Sequence, residues 1–134
     1  MKGGIALLTD GHPSYAWPMP TTERDIYDLL LGISHPEIAA YLEKVNAFPG
    51  QGVASTWKFA EGYGVLKGLL TALKIPFTLV SPGVWQRELG CLTKGDKNVS
   101  KRKAQQLYPE LTITHATADA LLIATWGKMQ SSAH

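Results

Sequence analysis

The sequence predicts a single domain of the α/β class, with a mixed sheet flanked by helices. Three observations lead to this prediction: a hairpin signal near the start, strand-like apolar runs that alternate with helical segments, and a length of 134 residues. A chain of this length fits one domain and can bury a sizeable core. Helices and strands that alternate after an initial hairpin are typical of a sheet covered by helices.

The composition is that of an ordinary globular protein, with 45% hydrophobic and 18% charged residues. Because the net charge is only +2, a nucleic-acid partner has to be argued from where the cations lie. Cys91 is the single cysteine, which excludes an intrachain disulfide and suits a reducing cytoplasm. The apolar run at residues 5–8 is too short for a signal or membrane segment, so we expect neither export nor membrane insertion.

The first elements are a hairpin and a helix. Residues 3–9 and 14–18 are predicted to form antiparallel strands, because Asp10-Gly11 between apolar runs is a strong turn signal. Thr21 or Thr22 can then cap a helix. Its apolar face consists of Ile26, Leu29, Leu30 and Ile33.

An apolar run at residues 38–45 is typical of a strand buried on both faces of a sheet, and Glu43 and Lys44 interrupt it near its end. Ligands of open α/β sheets bind at the carboxyl ends of strands, so Glu43 is well placed for chemistry. The alternative is that Glu43 only marks the solvent-exposed end of the strand. A glycine-containing loop at residues 46–54 follows, and Ser55 opens the longest helix, which is expected to reach residue 74.

The next segment reads as strand and helix again. Residues 77–80 are predicted to form a short buried strand, and Ser81-Pro82 starts a helix in which Trp85 is a core residue. Residues 90–99 form a connector, and Ser100 caps a short helix that ends at Pro109.

The last helix follows residues 112–114 and runs to about Met129, which gives a domain of residues 1–129 and a disordered tail at 130–134. His115 and Asp119 are four residues apart, so they project from one face of this helix. An acid in such an apolar segment must be paired, metal-bound or at the edge of the core. The alternatives are a hydrogen bond within the first turns for Asp119 and a helix-start role for His115.

Cations are concentrated in residues 94–103, where Asp96 is the single acid. Such a run is either a solvated face or a surface that neutralises phosphates. Its members are Lys94, Lys97, Lys101, Arg102 and Lys103. On the long helix, Lys58 and Lys67 can extend this track, and Trp57 can stack on an exposed base, whereas Phe59 is expected in the core.

Glycines also mark the long helix, where each costs roughly 1 kcal/mol relative to alanine. Gly64 and Gly68 lie four residues apart and permit a close backbone approach, either to the sheet or to a second copy of the chain.

The ordered set of these motifs resembles the phage and prophage branch of the RuvC-like Holliday junction resolvases. The resemblance covers residues 3–127 and rests on Glu43 with the following glycine loop, the glycines of the long helix, and the segments 80–85, 96–104 and 115–124. It implies an RNase H-like fold and a homodimeric endonuclease that acts on four-way, branched DNA.

The same resemblance implies the site residues. Glu43, His115 and Asp119 would be the catalytic, metal-binding residues, with Mg²⁺ as cofactor and Mn²⁺ as a substitute; His115 would be either a ligand or a proton carrier. Two such ions activate the attacking water and stabilise the leaving oxygen, and Mg²⁺ prefers oxygen ligands. In the family, the first strand carries a further catalytic aspartate a few residues before the glycines that match Gly3 and Gly4. The sequence starts after that point, and Asp10 lies too far along the strand to replace this aspartate.

Because the sequence does not include this family aspartate, other functions are also open. One is a branched-DNA-binding protein without cleavage activity; another is a protein that binds a phosphorylated small molecule at the loop of residues 46–54. That loop lacks the lysine pattern of a P-loop.

Overall fold

The computed structural model describes residues 3–44 and 52–132. Their elements are β1 (Gly4–Leu7), β2 (Tyr15–Pro18), α1 (Glu23–Ile33), β3 (Ala40–Glu43), α2 (Val53–Ala72), β4 (Phe77–Val80), α3 (Pro82–Glu88), α4 (Lys97–Leu107) and α5 (His115–Ser132). The predicted α/β class is confirmed. Most of the glycine loop, residues 46–51, lies outside the described residues, and with it the predicted phosphate site. Within the described ranges, the helices include none with the length and apolar character that crossing a bilayer requires.

The described strands form two two-stranded sheets, so the expectation of one mixed sheet is wrong. β1 and β2 pair antiparallel, with Gly4 opposite Pro18. β3 and β4 pair in parallel, with Glu43 opposite Val80. β1 and β3 both pack on α5, but with few exceptions their Cα atoms are more than 8 Å apart. Because paired strands lie about 4.8 Å apart, these two strands are not neighbours.

Two hydrophobic cores receive alternate side chains of β1 and β3. One core is built on α1 and α2 and includes Ile5, Ala40 and Leu42. The other is built on α3, α4 and α5 and includes Ala6 and Tyr41. Successive side chains of a strand point to opposite faces. β1 and β3, which do not pair with each other, therefore contribute to the same two layers.

The hairpin and the first helix follow the sequence prediction closely. The backbone N–H of His12 donates to the carbonyl of Thr9 at 3.2 Å, which closes a turn around Asp10 and Gly11. Thr22 is the cap of α1, and its hydroxyl accepts a hydrogen bond of 3.1 Å from the Asp25 N–H. Local turn and cap chemistry thus determine these boundaries.

The boundaries of the later helices differ from the prediction. α2 begins at Val53, with Gly52 and not Ser55 at its cap. α4 begins at Lys97, because the Asp96 carboxylate caps it by accepting a 3.0 Å hydrogen bond from the Asn98 N–H. Ser100 is buried in the first turns of α4 and is not the cap. α5 continues to Ser132, so residues 130–132 are helical and do not form a disordered tail.

Both strands of the parallel pair are less buried than predicted. All four residues of β3 are only partly buried. In β4, Val80 is buried but Thr78 and Leu79 are exposed. A two-stranded sheet leaves an edge of each strand uncovered, which explains the exposure.

The N-terminal half of α2 is largely exposed, with Trp57 at 73% and Phe59 at 53% of their maximal accessibility. The expected core position of Phe59 is therefore wrong, because the part of α2 that packs into a core starts at Val65. A Cβ atom added at Gly64 or Gly68 would meet nothing within 4 Å. These two glycines do not serve close packing against the sheet.

Candidate active site

Glu43 is the last residue of β3, at the carboxyl end of the parallel pair. Its neighbour across the pair is Val80, and the chain continues from there into α3. Trp85 of α3 is completely buried, and its indole Nε1–H donates a 2.9 Å hydrogen bond to Oε2 of Glu43. The predicted core position of Trp85 is confirmed. The strand end and the helix that follows β4 together orient the Glu43 carboxylate.

The environment of Glu43 disfavours its charged form. Loss of hydration raises the pKa of Glu43 above its ordinary value, the Trp85 hydrogen bond partly opposes this rise, and the charge of Asp119 raises the pKa further. The effect of the Asp119 charge on Glu43 is consistent with both carboxylates lying in the same region of the structure. That the two acids come close enough to share an ion stays a prediction.

Asp119 lies in the second turn of α5 and is exposed, although protein atoms crowd its carboxyl group. Loss of hydration raises its pKa, and this rise is opposed first by the Ser100 hydroxyl and then by the charges of Lys97 and His115. Asp119 is thus affected by Ser100 and Lys97 of α4 as well as by His115 of its own helix.

The start of α5 is held firmly against β1. The Thr114 backbone N–H donates to the Thr117 hydroxyl at 3.1 Å, and the Thr117 N–H donates back to the Thr114 hydroxyl at 3.3 Å. This reciprocal pair satisfies donors at the helix start. A Cβ atom at Gly4 would lie 2.5 Å from the Ala116 carbonyl oxygen, so only glycine permits this approach. The first turn of α5, immediately before Asp119, is therefore in contact with β1.

The predicted three-residue ligand set is not assembled as one group. Within residues 3–44 and 52–132, no three His, Cys, Asp or Glu side chains lie close enough together to hold a metal ion. The charge of Asp119 acts on Glu43, and the charge of His115 acts on Asp119, but His115 has no such influence on Glu43. The structure thus supports a pair of acids with a peripheral histidine.

Asp10 is not a substitute for a third acid. Its carboxylate forms a 2.7 Å ion pair with Lys128, near the other end of α5 from Asp119. At a rise of 1.5 Å per residue, Lys128 and Asp119 are separated by roughly 13 Å along the helix. The expectation that Asp10 lies too far along the hairpin is consistent with this pairing.

The donor set fits one divalent ion of the magnesium type. Two carboxylates of raised pKa repel each other, and a cation between them would relieve this repulsion. Mg²⁺ keeps several water ligands, so two carboxylates are sufficient for one ion. Cys91 is buried, and burial raises the pKa of its thiol, so it offers no thiolate at neutral pH. The described residues do not provide ligands for a second ion.

The predicted DNA-binding residues lie on two separate parts of the structure. Lys94, Lys97 and Arg102 are exposed, and Lys101 and Lys103 are partly buried. These five belong to α4 and the loop before it, and α4 packs on α5. Lys58 and Trp57 are exposed on α2, which packs on α1. Lys67 lies over the ring of Tyr63, 5.0 Å from its centroid.

Sequence reasoning missed two roles. Trp85 was predicted only as a core residue and Ser100 only as a helix cap, yet they contact Glu43 and Asp119 respectively. Lys97 was predicted to bind phosphates and lies near Asp119. Trp85 and Ser100 lie inside the segments 80–85 and 96–104 that carry the family resemblance, and this was the one signal in the sequence that could have indicated their roles. Comparison with models of known protein families and with curated proteins found no match.

Proposed function

We propose that this protein is a metal-dependent, structure-selective endonuclease of the RNase H-like type. It would resolve four-way DNA junctions by paired phosphodiester hydrolysis, as a homodimer in the cytoplasm. The observation that carries this proposal is that the charge of Asp119, on the last helix, acts on Glu43, at a strand end. Acids whose pKa is raised by lost hydration and by a like charge are typical of sites that bind cations or exchange protons.

Each part of the site has a role in this proposal. Glu43 and Asp119 would hold Mg²⁺ or Mn²⁺, which when bound activates a water and stabilises the charge that develops on the phosphate. Trp85 orients Glu43, and His115, whose charge acts on Asp119, would serve as a ligand or a proton carrier at the edge of the site. The cations of α4 would contact the DNA backbone without regard to sequence.

The separation of β1 and β3 supports a further part of the proposal. These strands enter the same two cores but are too far apart to pair, with Cα atoms mostly more than 8 Å apart. One strand inserted between two others separates them by about 9.6 Å, twice the usual spacing. The aspartate-bearing strand that the family resemblance implies would fit there, next to Glu43, and would complete the ligand set.

A second candidate function is binding of branched DNA without cleavage. The observation that favours it is the lack of a three-ligand group within residues 3–44 and 52–132. The two functions share the cation surface of α4 and differ only in hydrolysis.

Incubation with a four-way junction and Mg²⁺ or Mn²⁺ separates the two. Paired nicks that Glu43→Gln abolishes and Glu110→Gln preserves would support the endonuclease, since Glu110 is exposed and does not act on either acid. Binding of the junction without nicks would support the second function. If a variant with an added N-terminal strand that carries an aspartate then nicks the junction, the endonuclease would be supported again. Equal affinity for linear and four-way DNA would contradict both.

A further inference from the structure

Trp85 combines two properties that a core residue does not need. Its side chain is among the largest fully buried ones, with no exposed surface. Its single polar group, the indole N–H, donates a hydrogen bond of 2.9 Å to Oε2 of Glu43. A buried indole can find an acceptor in many places, including backbone carbonyls. Here the acceptor is an acid of the candidate site.

The neutrality of this donor matters for a cation site. A lysine or arginine beside Glu43 would also orient the carboxylate, but its positive charge would compete with a metal ion. The indole N–H offers one hydrogen bond and no net charge. The indole therefore fixes one carboxylate oxygen of Glu43 and leaves the negative charge of the carboxylate free to attract a cation.

The surroundings of Trp85 connect it to the second acid. Trp85 belongs to the same buried cluster as Ala118, Leu121 and Leu122 of α5, which surround Asp119 in sequence. α3 also packs directly on α5. The rigid ring thus lies between the end of β3 and the helix that carries Asp119.

We propose that Trp85 is a positioning residue: its N–H holds Oε2 of Glu43, so that Oε1 is the oxygen presented to a divalent cation shared with Asp119. This inference rests on the proposed function, because it assigns Glu43 to a cation. Hydrogen bonds that orient metal ligands contribute about 10- to 100-fold to metal affinity. A purely structural tryptophan would contribute its ring and not its N–H.

The test compares Mn²⁺ affinity in the full chain, measured by the electron paramagnetic resonance signal of free Mn²⁺. Trp85→Phe keeps an aromatic ring and removes the donor, so we expect affinity to fall about 10- to 100-fold. Trp126→Phe is the matched control, because Trp126 donates its indole N–H to Glu88, which is not one of the two acids. This control should keep wild-type affinity. Should Trp85→Phe fail to fold, benzothienylalanine at position 85 preserves the ring shape without an N–H.

A second readout needs no metal. In the ¹H–¹⁵N spectrum, Glu43→Gln should displace the indole N–H resonance of Trp85 and leave that of Trp126 in place. An unmoved Trp85 resonance, or wild-type Mn²⁺ affinity in the ring-preserving variant, overturns the positioning role alone. If the wild-type chain binds no Mn²⁺, both the proposed function and the positioning role are overturned. This outcome differs from the first two because the wild type itself then lacks Mn²⁺ affinity.

Discussion

The charge of Asp119 raises the pKa of Glu43, although one acid ends a strand and the other lies on the last helix. Burial contributes most to this rise, and the Trp85 hydrogen bond opposes it. The fold thus holds two like charges near each other in a poorly hydrated place, which destabilises it at neutral pH. Such an arrangement is explained if the pair has a cationic ligand.

Glu43→Gln should stabilise the metal-free protein at neutral pH. Because the folded-state pKa of Glu43 is raised, its contribution to stability is fully present below its ordinary value of 4.5 and is lost as the pH rises through the raised value. Glutamine keeps an acceptor for Trp85 and carries no charge. Urea denaturation should therefore give a larger free energy of unfolding for the variant at pH 7, with a smaller difference at pH 4. An equal loss of stability at both pH values would show that the charge of Glu43 does not destabilise the folded protein.

Gly4→Ala should weaken the contact between β1 and α5. The new Cβ would lie 2.5 Å from the Ala116 carbonyl oxygen and 3.1 Å from Cα of Thr117, so the backbone must move. We expect a loss of about 1–3 kcal/mol, as for other overpacked positions. Gly32→Ala is the control, because its Cβ would meet nothing within 4 Å and alanine favours a helix by up to about 1 kcal/mol. Similar thermal unfolding of the two variants would contradict the close packing at Gly4.

Gly64→Ala with Gly68→Ala tests the proposed homodimer. Both positions face open space within the chain, so the two alanines should stabilise α2 by about 1 kcal/mol each. If a second copy packs closely on this helix face, the same methyl groups should weaken the dimer. We expect sedimentation velocity to show more monomer in the double variant at a given concentration, together with a raised unfolding temperature at low concentration. Unchanged sedimentation would place the dimer contact elsewhere.

Arg102→Ala should weaken binding to junction and linear DNA alike. Arg102 is exposed on α4, and a phosphate contact contributes to affinity through released counterions. The slope of log affinity against log salt should become shallower by about 1. Arg24→Ala is the control on α1, where Arg24 is paired with the exposed Asp28 at 3.3 Å. A slope that changes equally in both variants would argue against a specific α4 surface.

Much of the fold is readable from local sequence signals. The Asp10-Gly11 turn and the Thr22 cap act on their immediate neighbours, so the hairpin and α1 are predicted well. The start of α4 is predicted less well, because Asp96 and Ser100 are both good caps and the choice depends on packing. Ser100 is buried beside α5, which excludes it from the cap position.

The long-range part of the site is readable only in part. The proximity of Glu43 and Asp119 was implied by the family resemblance, since no spacing rule joins a strand end to a helix so far along the chain. The direction of the Trp85 N–H depends on how α3 leaves β4, and no sequence pattern records that angle. Phe59 was predicted wrongly because α2 packs mainly through its C-terminal half.

Titration of the chain with Mn²⁺, compared for the wild type, Glu43→Gln and Asp119→Asn, tests most directly whether the two acids share one cation. We expect the wild type to bind one ion and each single substitution to abolish most of the binding, because either change removes half of the carboxylate pair. Binding that survives both single substitutions at wild-type affinity would contradict a shared site.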